Sequence, residues 1–254
     1  MAKQLEGKVA LITGGNSGIG KATSIKFAEA RAKVVIAARR SEESEETVEQ
    51  IRKEGGEAVF IKTNVAQSSE VEDLVSKTVA TYHRLDYAFN NAGIAVGGPL
   101  HEFTEEDWDR VVDINLKGTW LCMKYQIRQM LKQGSGAIVN NSSGAGLTGY
   151  SRSPLYSASK HGVIGLSKSA ALQYITQGIR INVVCPGVIM TPMIEDAYKS
   201  GPGVKEWFES IQPTGHAGEP EEVAHAVLWL CSDTASFVTG VALPVDGGAL
   251  SGIW

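Results

Sequence analysis

Tyr156 and Lys160 lie four residues apart in a run, 155–177, whose pattern predicts one long helix. Residues i and i+4 of a helix share a face, so this spacing sets a phenol beside an ammonium. A free tyrosine titrates near pH ~10 and is a poor base at neutrality. A neighbouring cation favours the phenolate and lowers that value. Lowering it by about three units takes roughly 4 kcal/mol of differential interaction. An ammonium in a partly desolvated cleft, helped by the charge of a cofactor, can supply that. The pair is then an acid/base able to pass a proton to or from an alcohol. Ser142 and Ser143 end a strand expected over 137–141, just before this helix, so a hydroxyl is expected near the phenol. Alone, this spacing is common on surface helices, and the surrounding elements must decide.

A second stretch carries chemistry of another kind. Gly14-Gly15-Asn16-Ser17-Gly18-Ile19-Gly20 follows a short apolar run, 8–12, that reads as a buried strand. It opens a helical pattern with Ile19, Thr23, Phe27 and Ala30 on one face. Strand, glycine-rich turn and helix form the context a dinucleotide site requires. The glycines permit close backbone approach to a pyrophosphate, and the helix N-terminus offers free N–H groups and a positive dipole end.

The second strand, 34–38, is followed by Arg39-Arg40. NAD-binding folds commonly place an acid there for the ribose hydroxyls. A guanidinium instead suits a 2′-phosphate, so NADP(H) is favoured, with Arg39 as main contact and Arg40 assisting. The rival is that both pair with Glu42, Glu43, Glu45 and Glu46 on the next helix, which Ser41 is expected to cap.

Further alternation follows: a strand over 58–61 with Asn64-Val65 placed to border an adenine, a helix over 67–83, and a strand over 85–89. Asn90-Asn91-Ala92-Gly93 comes at that strand's end, where small and amide residues can line a ligand crevice. A helix over 105–132, capped by Thr104, carries Asn115 at mid-length, where its low propensity calls for a polar partner or a function. Strand 180–184 leads into Cys185-Pro186-Gly187, a helix starts at Pro220, and a last strand spans 241–245. The segment 188–218 reads as a mobile lid over the site, or as an ordinary surface excursion. These elements predict one α/β domain over 1–254, a doubly wound parallel sheet of Rossmann type.

Composition bounds the function. The 254 residues carry a formal net charge of −4, with 20% charged and 43% hydrophobic residues. That gives no footprint for nucleic acid or an anionic membrane. No apolar run is long enough to span a bilayer, and residues 1–7 lack the apolar core of a secretory signal. Cys122, Cys185 and Cys231 are few and scattered, as in a reducing, cytoplasmic setting. The five histidines show no metal-ligand spacing, and no metal is expected.

With these residues in view, the chain resembles the short-chain dehydrogenase/reductase family, in its short single-domain branch, over nearly its whole length. The cofactor loop from Thr13 to Gly20, Asn90-Asn91-Ala92-Gly93, Pro186-Gly187 with Thr191, and Asp246-Gly247-Gly248 match its motifs in order. Asn115, Ser143, Tyr156 and Lys160 match its catalytic tetrad, with Ser143 chosen over Ser142 by its distance from Tyr156. The resemblance implies hydride transfer between a nicotinamide cofactor and a ketone or secondary alcohol. Tyr156 would be the acid/base, Lys160 would lower its pKa and bind the nicotinamide ribose, and Ser143 would position the substrate oxygen. Asn115 would hold a water that links Lys160 to solvent. Cofactor contacts are expected from Gly14, Asn16, Ser17, Gly18, Ile19, Arg39, Arg40, Asn64, Val65, Asn91, Ala92, Gly93, Tyr156, Lys160, Pro186, Gly187, Ile189 and Thr191.

The sequence departs from the family pattern in two places. Asn64 stands where an Asp is common, and no basic residue precedes Gly18, so NAD(H) use stays open. Residues 144–153 and 188–208 should shape the substrate pocket, with Leu147, Tyr150, Met193 and Trp207 as walls, or else serve as core or subunit contacts. The resemblance also implies a homotetramer, with the 105–132 and 155–177 helices as contact surfaces. A sugar-nucleotide epimerase would carry a larger C-terminal domain than these residues allow. A non-catalytic NADP(H) sensor could dispense with Ser143, Tyr156 and Lys160.

Overall fold

Seven short strands carry the molecule, and their apolar composition explains why both faces of the sheet are covered. The computed structural model describes residues 5–199 and 201–252. The strands are β1 (Val9–Thr13), β2 (Lys33–Ala38), β3 (Glu57–Lys62), β4 (Tyr87–Asn90), β5 (Gly136–Asn141), β6 (Ile179–Pro186) and β7 (Ala242–Val245). They form one parallel sheet in the order β3-β2-β1-β4-β5-β6-β7. Between them run α1 (Gly18–Glu29), α2 (Ser41–Lys53), α3 (Ser68–Tyr82), α4 (Glu105–Val112), α5 (Gly118–Gln133), α6 (Pro154–Tyr174), α7 (Pro192–Tyr198), α8 (Val204–Ser210) and α9 (Pro220–Cys231).

Strand side chains alternate between faces. Ala10, Ile12, Val34 and Ile36 join Phe27 of α1, Ile51 of α2 and Val227 of α9 in one core. Val9, Leu11, Val35 and Ala37 join Leu74 of α3, Leu121 of α5 and Ala171 of α6 in the other. This is the doubly wound Rossmann-like fold expected from the alternation of elements.

The chain winds outward from β1 to β3, then returns to place β4 on the other side of β1. Such a reversal opens a crevice at the carboxyl ends of the two central strands. Register aligns those ends: Thr13 pairs with Ala37 on one side and Asn90 on the other, and Asn90 pairs with Asn140. Beneath the crevice, Asn90 and Gln126 exchange two amide bonds (3.0 and 2.8 Å). Asn90 Nδ2 also reaches Asn140 Oδ1 (2.8 Å), and Asn140 Nδ2 donates to Ser167 Oγ (2.8 Å). Four buried polar side chains thereby lock β4, β5, α5 and α6 together.

Local differences from the expected elements have physical causes. The helix expected over 105–132 is α4, a π-helical turn (Asp113–Lys117) and α5 in continuous succession. Such single π turns occur inside longer α-helices, frequently at functional sites. Thr104 does cap α4, in a reciprocal box with Asp107. Ser41 does not cap α2: it is already the first helical residue, and the Ser44 hydroxyl donates to Arg40 O. The segment 188–218 contains α7 and α8 and is closed at its base by a bridge between Ile189 and Gly218.

Candidate active site

The glycine-rich turn between β1 and α1 is tied to the turn after β4. Thr13 Oγ1 accepts from Asn91 N (3.0 Å) and Ala92 N (3.1 Å), while Asn91 Nδ2 donates to Thr13 O (3.2 Å) and Gly14 O (3.3 Å). Gly20 has no alternative, since a Cβ there would sit 2.1 Å from Gly14 O. Gly18 holds a φ of +49°, and its Cβ would meet Thr191 Cγ2 at 2.9 Å. The turn therefore presents bare backbone. Ser17 precedes α1 without a side-chain cap, so the first N–H groups of that helix stay free of one. Asn16 Nδ2 is buried without a hydrogen-bond partner. Free helix-start donors, an orphaned amide donor and a turn stripped of side chains fit the pyrophosphate of a dinucleotide.

At the end of β2, Ala38 is buried and offers no carboxylate, and Arg39 and Arg40 are exposed. The expected rivalry divides between the two arginines. Arg40 pairs with Glu43 at 3.0 Å. Arg39 has no ion-pair or hydrogen-bond partner for its guanidinium among the described residues, yet it lines the same cleft. Asn64 and Val65 border that cleft as well. The Asn64 amide oxygen accepts from Ala66 N (3.2 Å), and Val65 packs so closely on α5 that a Cβ at Gly118 would lie 2.9 Å from Val65 Cγ2.

The cleft, about 1330 Å³, runs from Arg39 past the glycine turn to α6. Tyr156 and Lys160 stand on α6 as their spacing requires, with Lys160 Nζ 5.5 Å from the Tyr156 ring centre. Lys160 Nζ donates to Asn141 O at 2.7 Å. The two serines take opposite sides. Ser142 is buried and its hydroxyl donates to Lys160 O (2.9 Å), whereas Ser143 is partly open, accepts from Ala145 N (3.2 Å) and acts on the Tyr156 phenol to favour its ionised form. Asn115 sits fully buried in the π turn, and its polar partners come from the loop after β4 and from α6. Its amide accepts from Ile94 N (2.9 Å), donates to Ile94 O (2.9 Å) and donates to Ser159 Oγ (3.1 Å). Asn115 is thus the one tetrad member outside the cleft lining, one shell behind Gly93.

Electrostatics depart from the expectation. Burial raises the Tyr156 phenol above its ordinary value; the Ser143 hydrogen bond opposes that, and Cys185 adds to it. Burial also pulls Lys160 down to about 8. Desolvation pushes both members of the pair toward neutrality, against the direction in which a nearby ammonium acts on the phenol. The thiols are pushed up by burial, Cys185 to about 11 and Cys122 and Cys231 to about 12, which keeps them protonated. No cluster of His, Cys, Asp or Glu among the described residues could hold a metal, and no described helix is long and apolar enough to cross a membrane.

Beyond Tyr156 the cleft is walled by side chains from distant loops. Pro186, Gly187, Ile189 and Thr191 line one side, and Tyr150, Met193 and Trp207 join them. Leu147, expected in this wall, is exposed and outside the lining. Ring contacts knit the opening: Tyr150 to Trp207 (5.8 Å), Trp207 to Phe208 (4.9 Å) and Phe208 to Tyr198 (5.9 Å), with the Arg152 guanidinium 4.4 Å over Trp207. Ile94 and Leu250 are lining residues that the sequence reading missed, while Arg152 and Phe208 fall within the segments it expected to shape the pocket. Leu250 had a signal: Asp246 of the Asp-Gly-Gly run binds Gly248 N and Leu250 N (both 3.0 Å) and turns the tail into the wall.

Comparisons with known proteins point the same way. A family model described as enoyl-(acyl carrier protein) reductase matches residues 14–249. A 2,5-dichloro-2,5-cyclohexadiene-1,4-diol dehydrogenase of Sphingobium indicum is 43% identical over 246 residues, 96% of this chain and 97% of that protein. A cyclohexanol dehydrogenase of an Acinetobacter species is 43% identical over 252 residues, 99% of this chain and 98% of that protein. The crystal structure of levodione reductase superposes with a TM-score of 0.95 at 36% identity, over 98% of this chain and 100% of that one.

Proposed function

The chain belongs to the short-chain dehydrogenase/reductase family, and on that premise we propose that it moves a hydride between NADP(H) and a ring-sized ketone or secondary alcohol, with Tyr156 as acid/base. The observation that carries the reading is convergence: Tyr156, Ser143 and Lys160 meet in the same cleft as the glycine turn and Arg39. Nicotinamide, when bound, supplies or accepts the hydride; the protein supplies orientation and electrostatics.

In reduction, Tyr156 donates its proton to the developing alkoxide, and its raised pKa keeps that proton in place at neutral pH. In oxidation the phenolate must take the alcohol proton, and positive charge brought near Tyr156 would favour its formation. Ser143 bonds the substrate oxygen, Lys160 holds the nicotinamide ribose, and Asn115 positions the Gly93–Ile94 turn beside Lys160 and holds the relay water. The apolar, aromatic wall and the cyclic compounds named for the relatives support a ring-shaped substrate. Arg39, unpartnered where an acid would favour NAD(H), supports the 2′-phosphate.

Fluorescence titration of NADPH and NADH tests the cofactor assignment. Wild type should bind NADPH at least about tenfold tighter, a difference of ~1.4 kcal/mol, and Arg39→Ala should remove the gap. Equal binding of both cofactors, unmoved by the substitution, would leave Arg39 a bystander and turn the search to NAD(H) and alcohols.

A further inference from the structure

Charged side chains are few along this cleft, and nearly all have employment. Lys160 bonds Asn141 O at 2.7 Å, Asp196 pairs with Lys199 at 3.3 Å, and Asp246 holds the tail. Arg40 pairs with Glu43, and Arg39 stands at the nucleotide end. The exception at the substrate end is Arg152. It lines the cleft and has no carboxylate within ion-pair distance among the described residues.

Arg152 is nevertheless held. Its backbone carbonyl accepts from Gly98 N at 3.0 Å, which pins it to the loop after β4. Its guanidinium lies 4.4 Å over the Trp207 ring. The guanidinium makes no side-chain hydrogen bond or ion pair among the described residues, so its N–H donors remain available for the fork that matches a carboxylate. The surrounding wall is Ile94, Tyr150, Met193 and Phe208, with no acid among them. Arg152 also works against the burial that raises the Tyr150 phenol, and Tyr150 in turn senses Tyr156. The three groups therefore stand within electrostatic reach of one another along one wall, from the reacting phenol to the free cation.

We propose that Arg152 is a specificity-determining residue, and that the substrate is a cyclic ketone or alcohol bearing a carboxylate remote from the reacting carbon. This rests on the reductase reading of the same cleft. Arg152 is exposed at the mouth of the cleft, so an uncharged ring would leave its guanidinium to solvent, while a carboxylate would gain a charge-assisted, bidentate contact there.

The test measures binding apart from turnover. Protein saturated with NADP⁺ is titrated by calorimetry with 3- and 4-oxocyclohexanecarboxylate and with their methyl esters; ketone and oxidised cofactor together cannot react. Wild type should bind at least one acid about tenfold or more tighter than its ester. In Arg152→Gln that ratio should fall to within about twofold, and Arg152→Lys, which keeps the charge and loses the fork, should lie between. Equal binding of acid and ester by wild type overturns the proposal, and so does an undiminished ratio in Arg152→Gln. Should Arg152→Gln fail to fold, the Arg152→Lys ratio decides: no loss relative to wild type overturns the fork. Reduction of cyclohexanone with NADPH but no preference for the acid sinks this inference and leaves the reductase reading intact. Arg152-dependent binding of the acid without any NADPH oxidation does the reverse.

Discussion

At the nucleotide end of the cleft, recognition is built from backbone. Thr13, Ala37 and Asn90 sit in register on adjacent strands, and Asn91 ties the two turns by its amide and main-chain N–H. At the substrate end there is no such ladder. Tyr150 and Arg152 come from the loop before α6 and Trp207 and Phe208 from the short helix α8, and they meet through ring contacts and one guanidinium over a ring. Between the ends stand Tyr156 and Lys160, packed deep enough that burial dominates both pKa values. Hydrogen-bonded turns on a packed sheet resist change, whereas an aromatic clasp between loops can be rebuilt without disturbing the core. The difference predicts that the two ends respond separately to mutation.

The largest separation should come from Tyr156→Phe. A positioned general acid contributes about 10²–10⁴-fold, so turnover should fall by that range, while the retained ring keeps NADPH affinity within about twofold of wild type. Single-turnover kinetics with NADPH and cyclohexanone, alongside cofactor titration, measure the two quantities independently. Wild-type activity in this variant would remove Tyr156 from the chemistry. A parallel loss of cofactor affinity would break the separation of ends.

Lys160 offers a smaller effect with a definite sign. Burial pulls its pKa from 10.5 to about 8. The folded value lies below the unfolded one, so stability present above about pH 10.5 is lost as pH falls, and the loss is complete below about pH 8. At ~1.36 kcal/mol per unit the loss is roughly 3 kcal/mol. Measured against Lys160→Met, which cancels other titrations, wild type should therefore lose about that much between pH 10.5 and pH 7. Urea unfolding of both proteins across this window gives the difference directly. A flat difference would mean that Lys160 is hydrated and that its burial carries no stored cost.

What the amino-acid sequence reveals follows the same division. The positions of the glycine turn and of the Asn90–Gly93 turn could be read because they depend on backbone conformation and strand ends, which local pattern encodes, and Arg39 follows from the end of β2. Ser143 could be chosen over Ser142 by its distance from Tyr156, and the geometry agrees because consecutive residues at a strand end point to opposite sides. The π turn around Asn115 was not read; its one signal was the poor helix propensity of a mid-helix Asn. The direction of the Tyr156 shift stayed hidden for a different reason: spacing reports the nearby ammonium but not the water removed from both groups. Leu147 and Arg152 show the limit at the substrate end. Both lie in one loop, yet only Arg152 faces the cleft, because its partner Trp207 arrives from a segment more than fifty residues later.

The smallest expected effect tests that clasp itself. Trp207 touches Tyr150, Phe208 and Arg152, so Trp207→Leu removes two ring contacts and one cation–π contact while keeping an apolar side chain. Such contacts at exposed sites are worth about 0.5–1.5 kcal/mol each, and they are shared with the solvent-facing unliganded state. Only part of that energy bears on substrate, so KM should rise by about three- to tenfold. NADPH affinity should change by less than about twofold, since no residue of the glycine turn touches Trp207. The unfolding midpoint should barely move, because α7 and α8 contribute no residue to either of the large cores that pack the helices onto the sheet. Trp207→Phe should recover most of the lost KM by restoring a ring for Arg152 and Tyr150. If Trp207→Leu weakens NADPH binding as much as it raises KM, the ends of the cleft are coupled through the 188–194 strip beside Gly18, and the clasp acts on both.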